Sequence, residues 1–348
     1  SQYSILDGQA SISRLVDKAM ADGMPGIALT DHGNMFGVKE FYNYVKKQNG
    51  KKRDKIKGLK KLLASLEELL AEHPDMAAYL ADRKLELLKL DTHKDASPEA
   101  AVAHSKLRSH VEQVESMDKE FGFSPATARE KIAKLESVPD FKPIIGCEVY
   151  VARRALHLKD KSHKEDQSGY HLILLAKNEK GYHNLIKLVS KGYIEGFYYY
   201  PRIDHELLEQ YHEGLVCCSA CLGGEVPQAI LNGNIAEAER IVQWHQSIFG
   251  EDYYLEVQRH ISELPEVGTK QFEEQELVAS FSFDALYRLD FLASLSTRLS
   301  PDTDLVSGSE LPVCGVGVGV GSGDKPLELR HRHGLLVLSE YGSAARVL

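Results

Sequence analysis

Apolar positions near the start of the chain change their period once. From Ser11 to Gly23, Ile12, Leu15, Val16, Ala19 and Met20 recur at helical spacing, with Asp17, Lys18 and Asp22 opposite. That spacing predicts an amphipathic helix stopped by Gly23. After a Met-Pro turn, the short apolar run Gly26 to Thr30 reads as a buried strand ending in the polar group Asp31-His32-Gly33. Further strands are predicted over Ile144 to Val151, His171 to Ala176, Gly214 to Ser219 and Tyr253 to Val257. Helical patterns lie between them: one contains Asn184 to Val189, and another runs from Ile235 to Phe249 with Ala238, Ile241, Val242, His245 and Ile248 on one stripe. Near-continuous apolar strands alternating with amphipathic helices predict an α/β fold, a barrel or a doubly wound sheet, built on parallel strands.

Two stretches break this rhythm. From about Lys51 to Val138 the chain becomes Lys/Glu/Leu-rich, as in KGLKKLLASLEELLAEH and AYLADRKLELLKL. Its leucines at three- and four-residue spacing read as the seam of an inserted helical hairpin, with the charges on solvated faces. Beyond Glu276 arginine replaces lysine, serine becomes frequent, and Gly315 to Gly323 form a low-complexity run. This tail is expected to be foreign to the domain or poorly folded. The expected division is 1–48 and 142–276 for the main domain, 49–141 for the helical insertion and 277–348 for the tail.

Composition narrows the class. In 348 residues, 43% are hydrophobic and 27% charged, with a net charge of −9. A sizeable core is affordable, and wholly disordered or collagen-like readings are excluded. No apolar run reaches the roughly 18 residues of a membrane span, and Ser1 to Asp7 show no leader pattern, so a cytoplasmic location is expected. Cys147, Cys217, Cys218, Cys221 and Cys314 are too few and too unevenly spaced for a disulfide framework and are expected to be reduced thiols. The acidic balance argues against a broad duplex-DNA-binding face, though not against contact with one strand end.

Candidate chemistry gathers at strand ends, where α/β barrels carry their reactive loops. Asp31 and His32 follow the first strand, Glu148 sits late in the second, and Cys221 follows the strand ending at Ser219. His171 stands instead at a strand's beginning. Imidazole, carboxylate and thiolate together suit a transition metal such as zinc, manganese or iron. Glu148 is the strongest single signal, because a carboxylate in an otherwise apolar strand wants a cation. Cys218-Ser-Ala-Cys221 is formally a C-x-x-C, but its surroundings do not resemble a redox helix start, and Cys217 and Cys218 read as packing residues. Tyr198 to Tyr200 with Pro201-Arg202 form either a base- and phosphate-binding cluster or a structural loop. Arg259 and His260 occupy another loop position suited to a phosphate.

The ordered motifs YSILDG (Tyr3 to Gly8), GIALTDHGNMFG (Gly26 to Gly37), KPIIGCEVYVA (Lys142 to Ala152), YHLILLAKNEKGYHNL (Tyr170 to Leu185), GLVCCSACLGGEVPQ (Gly214 to Gln228) and YYLEVQRH (Tyr253 to His260) together resemble the polymerase-and-histidinol-phosphatase (PHP) domain of bacterial DNA polymerase III alpha subunits. The resemblance covers residues 1 to about 275 apart from the insertion. It implies a distorted (β/α)7-type barrel with up to three divalent transition metal ions, and a phosphoesterase site with 3′ to 5′ exonuclease activity. The metal ligands it implies are Asp7, His32, Glu148, His171 and Cys221, with Asp31 as a neighbouring ligand or supporting group. The family's opening His-x-His and closing Asp-x-His have no counterpart here, so truncation at both ends and impaired hydrolysis are expected. The implied partners are DNA, through the complete polymerase (a nucleotidyltransferase), and other holoenzyme subunits, including the proofreading exonuclease. The alternatives are a noncatalytic scaffold that stabilises the polymerase and docks that subunit, and a free-standing phosphatase acting on a small phosphomonoester.

Overall fold

Ser11 opens the first helix by accepting the Arg14 N–H on its hydroxyl oxygen, which satisfies one of the donors a helix start leaves open. Helix α1 (Ile12–Ala21) buries Ile12, Val16 and Ala19. Gly23 then turns the chain with a φ of +75°, where a side chain would be strained. The computed structural model describes residues 1–5, 7–92, 97–259, 270–271, 273–282 and 335–339. They fall into two units, one formed by Ser1–Val45 with Phe141–Leu348 and the other by Lys46–Asp140.

In the first unit, strands β1 (Gly26–Leu29), β2 (Lys142–Ala152), β3 (Gly169–Ala176), β4 (Arg202–Ile203), β5 (Leu215–Cys218), β6 (Tyr253–Arg259) and β7 (Leu335–Ser339) form one sheet. Its order is β1-β2-β3-β5-β6-β7, with β4 beside β2. Helices α6 (Glu179–Ile194), α7 (His205–Tyr211), α8 (Glu225–Leu231) and α9 (Ile235–Phe249) connect them. The core between sheet and helices contains Cys147, Val149, Leu172, Leu174, Leu185, Leu188, Leu215, Cys217, Ile241 and Val242. Residues 270–271 and 273–282 are helical, and Val278, Ala279 and Phe281 join that core. Apart from 277–282 and β7, the atypical tail, with Cys314 and the Gly315–Gly323 run, lies outside the described residues.

The strands are not all parallel, as their apolar runs led one to expect. The pairs β1–β2, β2–β4, β5–β6 and β6–β7 are parallel, but β3 runs antiparallel to both β2 and β5. An apolar run reports burial on both faces and is silent on direction. Direction is set by the connection, and between β2 and β3 the only regular element is the short 3-10 turn Lys164–Gln167, so no crossover helix returns the chain to the other end. The beginning of β3 therefore lies at the same sheet edge as the ends of β2 and β5.

The second unit holds most of α2 (Val38–Glu72) with α3 (Met76–Thr92), α4 (Pro98–Phe121) and α5 (Pro125–Ser137). Leu59, Leu66, Met76, Val111, Val114, Met117, Phe121 and Ile132 form its own core. The insertion is thus larger than a two-helix hairpin. Its breaks have local causes: Pro74 follows α2, Ser97 and Ser124 cap α4 and α5 just before a proline, and Gly122 ends α4 in the left-handed region.

Arg202 is fully buried. Its guanidinium donates to four backbone carbonyls, those of Gly196, Asp166, Leu156 and Leu158. Of the two readings of the Tyr198–Arg202 cluster, Arg202 follows the structural one: it staples the loops after β2 and α6. Replacing it with Met orphans those carbonyls, and we expect Arg202→Met to lose about 3 kcal/mol or more of stability in urea denaturation. A loss under about 1 kcal/mol contradicts this role.

Candidate functional site

The β1–β2 pairing continues past the end of β1. Glu148 N–H donates to Asp31 O at 3.1 Å and Gly33 N–H donates to Glu148 O at 2.7 Å, which sets His32 beside Glu148. Gly33 has a φ of +65°, and a Cβ there would meet the Tyr150 ring at 2.9 Å and Pro201 at 3.0 Å, so this turn requires glycine. On the other side of β2, Tyr150 pairs with His171. Beyond β5, Ala220 takes a left-handed φ of 62°, a strained conformation for a residue with a side chain, and the turn delivers Cys221 to His171.

Five of the six residues singled out in the sequence meet here. His32 Nδ1 lies 2.9 Å and His171 Nδ1 3.1 Å from the same oxygen, Glu148 Oε1. Cys221 Sγ is 3.3 Å from His171 Nδ1, and Asp7 Oδ2 is 3.6 Å from His32 Nε2. Glu148 is buried, while Asp7 is largely exposed at the cluster's outer end. The position of His171 at a strand's start is thereby explained, because β3 enters the sheet from the end at which β2 and β5 leave it.

Asp31 meets Glu148 only through its backbone carbonyl, and its side chain bonds elsewhere. Its buried carboxylate accepts from the Ser1 amine and hydroxyl and from the Ser4 hydroxyl. Ser4 Oγ in turn accepts the His32 N–H at 3.1 Å, so Asp31 acts on His32 through Ser4. Ser4 lies within the YSILDG motif, but nothing in the sequence alone marks it for this role.

The cluster's electrostatics follow from burial and shared hydrogen bonds. Burial pushes the Glu148 carboxyl up, but hydrogen bonds from His171 and His32 outweigh it and hold the group at about 2. Hydrogen bonding to Cys221 and Glu148 raises His171 to about 10, against the opposing effect of burial. His32 is also raised, chiefly by its hydrogen bond to Glu148. As a donor set, one buried carboxylate, two imidazoles, a thiol and an outer carboxylate suit a zinc-like ion better than magnesium or calcium. Consecutive donor atoms along His32, Glu148, His171 and Cys221 are 2.9–3.3 Å apart, near the roughly 3.4 Å between ligand atoms of a tetrahedral ion. No three of these residues bring their ligand atoms within 4.8 Å of one another, however, so an ion there would have to draw the side chains together.

Residues 1–100 and 110–260 match the family model described as the PHP domain. The chain belongs to the PHP domain family. Its relatives include the DNA polymerase III subunit alpha of Borreliella burgdorferi, 35% identical over 263 residues, which are 75% of this chain and 15% of the relative. The same-named protein of Chlamydia muridarum is 34% identical over 275 residues, 79% of this chain and 15% of that one. That of Deinococcus radiodurans is 45% identical over 123 residues, 35% of this chain and 9% of the relative. The chain therefore spans about 15% of the length of the first two relatives.

Other candidates in this PHP domain sort differently. Cys217 and Cys218 are fully buried, and burial raises both thiols far above the ordinary range. That removes the thiolate a redox pair needs, and Cys221 faces His171 instead. Tyr199 and Tyr200 are exposed, and the Tyr200 ring lies 5.0 Å from Tyr150, which is 5.3 Å from His171. Strand β6 extends to Arg259, and His260 lies outside the described residues. Glu256 was not foreseen, although it is an acid inside an apolar strand like Glu148. It is buried, and burial pushes its carboxyl up to about 7. Among the described residues no helix is long and apolar enough to cross a membrane.

The raised His171 makes stability depend on pH in the metal-free chain. Its contribution is fully present below the ordinary value of 6.5 and is lost as pH rises through about 10. We expect the stability advantage of the parent over His171→Asn, measured by urea denaturation in a chelator, to shrink steadily across that window. A difference that stays constant from pH 6 to pH 11 contradicts the assignment.

Proposed function

We propose that this chain is the PHP part of a DNA polymerase III alpha subunit, a protein of DNA replication, and that its Glu148 cluster is a metal-dependent phosphoesterase site acting on a DNA 3′ end. The observation that carries this reading is the meeting of Asp7, His32, Glu148, His171 and Cys221 at one sheet edge from five separate segments. Glu148, His171 and Cys221 would hold a divalent transition ion, zinc, manganese or iron, with His32 and Asp7 on the side open to further ions. Bound ions supply an activated water and neutralise charge developing on phosphoryl oxygens. Asp31 and Ser4 are positioning residues that fix the His32 backbone. Because His171 keeps its proton up to about 10 in the ion-free cluster, protons compete for the site and affinity rises with pH. The exposed rings of Tyr199 and Tyr200 offer a stacking platform for a terminal base whose phosphate reaches the cluster.

A second reading, a noncatalytic scaffold that docks the proofreading exonuclease subunit, draws on a different surface. Phe36, Tyr193, Ile194 and Phe197 are exposed, with Phe36 and Tyr193 rings 6.4 Å apart and Tyr193 and Phe197 rings 6.2 Å apart. Exposed apolar groups of this kind are common at protein contacts.

A 3′-labelled single-stranded oligonucleotide separates the two. With zinc or manganese added, we expect slow release of mononucleotides, in keeping with the impaired hydrolysis that the absent His-x-His and Asp-x-His motifs imply, abolished in Glu148→Gln, and little hydrolysis of a small phosphomonoester. No release under any of these metals, together with capture of the proofreading subunit that is lost in Tyr193→Ala/Phe197→Ala, favours the scaffold.

A further inference from the structure

Apart from the Glu148 cluster, α7, α8 and α9 bring together three side chains that the sequence reading did not connect. His205, Glu225 and His245 each present one ligand atom, and these atoms all lie within 4.8 Å of one another. His205 Nε2 is 3.0 Å from Glu225 Oε2. A hydrogen-bonded His–Glu pair needs no third member, but His245 is there and its state is unusual. Its ring is buried, 1% exposed, and stacks at 16° on both Phe249 and Tyr253.

The two nitrogens of His245 have different fates. Nδ1 lies 2.9 Å from Ile241 O, one turn earlier in α9. A carbonyl only accepts, so Nδ1 carries the hydrogen and the ring's lone pair is on Nε2. Nε2 has no hydrogen-bond partner, a costly state for a buried polar atom. An imidazole oriented through one nitrogen by a carbonyl, with the other left bare, is the usual preparation of a metal-ligating histidine. Burial, the largest influence, also lowers this imidazole to about 4, which keeps it neutral at ordinary pH.

We propose that His205, Glu225 and His245 form a second divalent transition-metal site, distinct from the Glu148 cluster, that ties α7, α8 and α9 together. Two imidazole nitrogens and one carboxylate oxygen suit a zinc-class ion with a fourth position for water. His205, whose side chain is 41% exposed and whose ring lies 4.2 Å from that of Trp244, gives the ion its way in from solvent. Glu225 follows the Cys221–Gly224 turn directly, and Gly224 bridges to His171. Loading this site therefore steadies the turn that carries Cys221. The inference does not rest on the phosphoesterase reading of the first cluster.

Cobalt(II) titration of the full chain tests it, because a thiolate ligand adds a charge-transfer band that a site of nitrogen and oxygen donors lacks. We expect His205→Asn and Glu225→Gln each to bind one equivalent of cobalt less than the parent, or to bind it at least about 10-fold more weakly, while the Cys221 thiolate band stays. In Cys221→Ser the band disappears and the His205-dependent equivalent remains. An unchanged equivalent and affinity in both His205→Asn and Glu225→Gln overturns the proposal, as does loss of the thiolate band together with that equivalent. His205 is partly exposed and is not among the core residues, so its variant is suited to report binding rather than collapse of the core.

Discussion

A buried carboxylate shared by two imidazoles is the constraint around which this PHP domain is arranged. Glu148 sits inside an apolar strand, where an isolated charge is expensive, and no lysine or arginine reaches it among the contacts described. Its charge is held by His32 from the loop after β1 and His171 from the start of β3. Each histidine is in turn fixed by backbone geometry: the extended β1–β2 ladder places His32, and the Tyr150 pairing places His171. The surrounding fold thus sets how firmly the donor atoms are preorganised.

The antiparallel course of β3 is what makes that sharing geometrically available. A parallel strand would deliver residue 171 to the opposite edge of the sheet, far from the turns after β1 and β5. Reversal brings His171 to the same edge and lets Gly223 pack under its ring, where a Cβ would approach the ring atoms to 3.1 Å. The turn of Cys221 is built for the same meeting, with Ala220 in a left-handed conformation and the His171 N–H donating to Gly223 O. Cys221 reaches His171 only because the backbone accepts that strain.

Much of this was legible in the residues and some was not. Helix α9 and the apolar strands follow from periodicity, and Glu148 stood out because an acid in an apolar run is anomalous. Strand direction was invisible, since burial on both faces leaves the same apolar signature whichever way a strand points; the lack of a helical pattern between Val151 and His171 was the available clue. The four-helix content of the insertion was marked by Pro74, Pro98, Gly122 and Pro125, signals outweighed by the leucine repeat. For Arg202 the sequence left a phosphate ligand and a structural loop equally open, and it proved to be a buried staple, because the sequence does not show which carbonyls surround a guanidinium. His245 was visible only as one member of an apolar stripe, and its neighbours His205 and Glu225 join it through packing of three separate helices.

An ion drawn to the oxygen that His32 and His171 share would be the direct mark of this site. Anomalous diffraction from crystals soaked in zinc addresses this without reference to activity. The expected result is a peak within bonding distance of Glu148, His171 and Cys221, about 2.0–2.3 Å from the donor atoms. A map with no peak beside Glu148 at saturating zinc contradicts it.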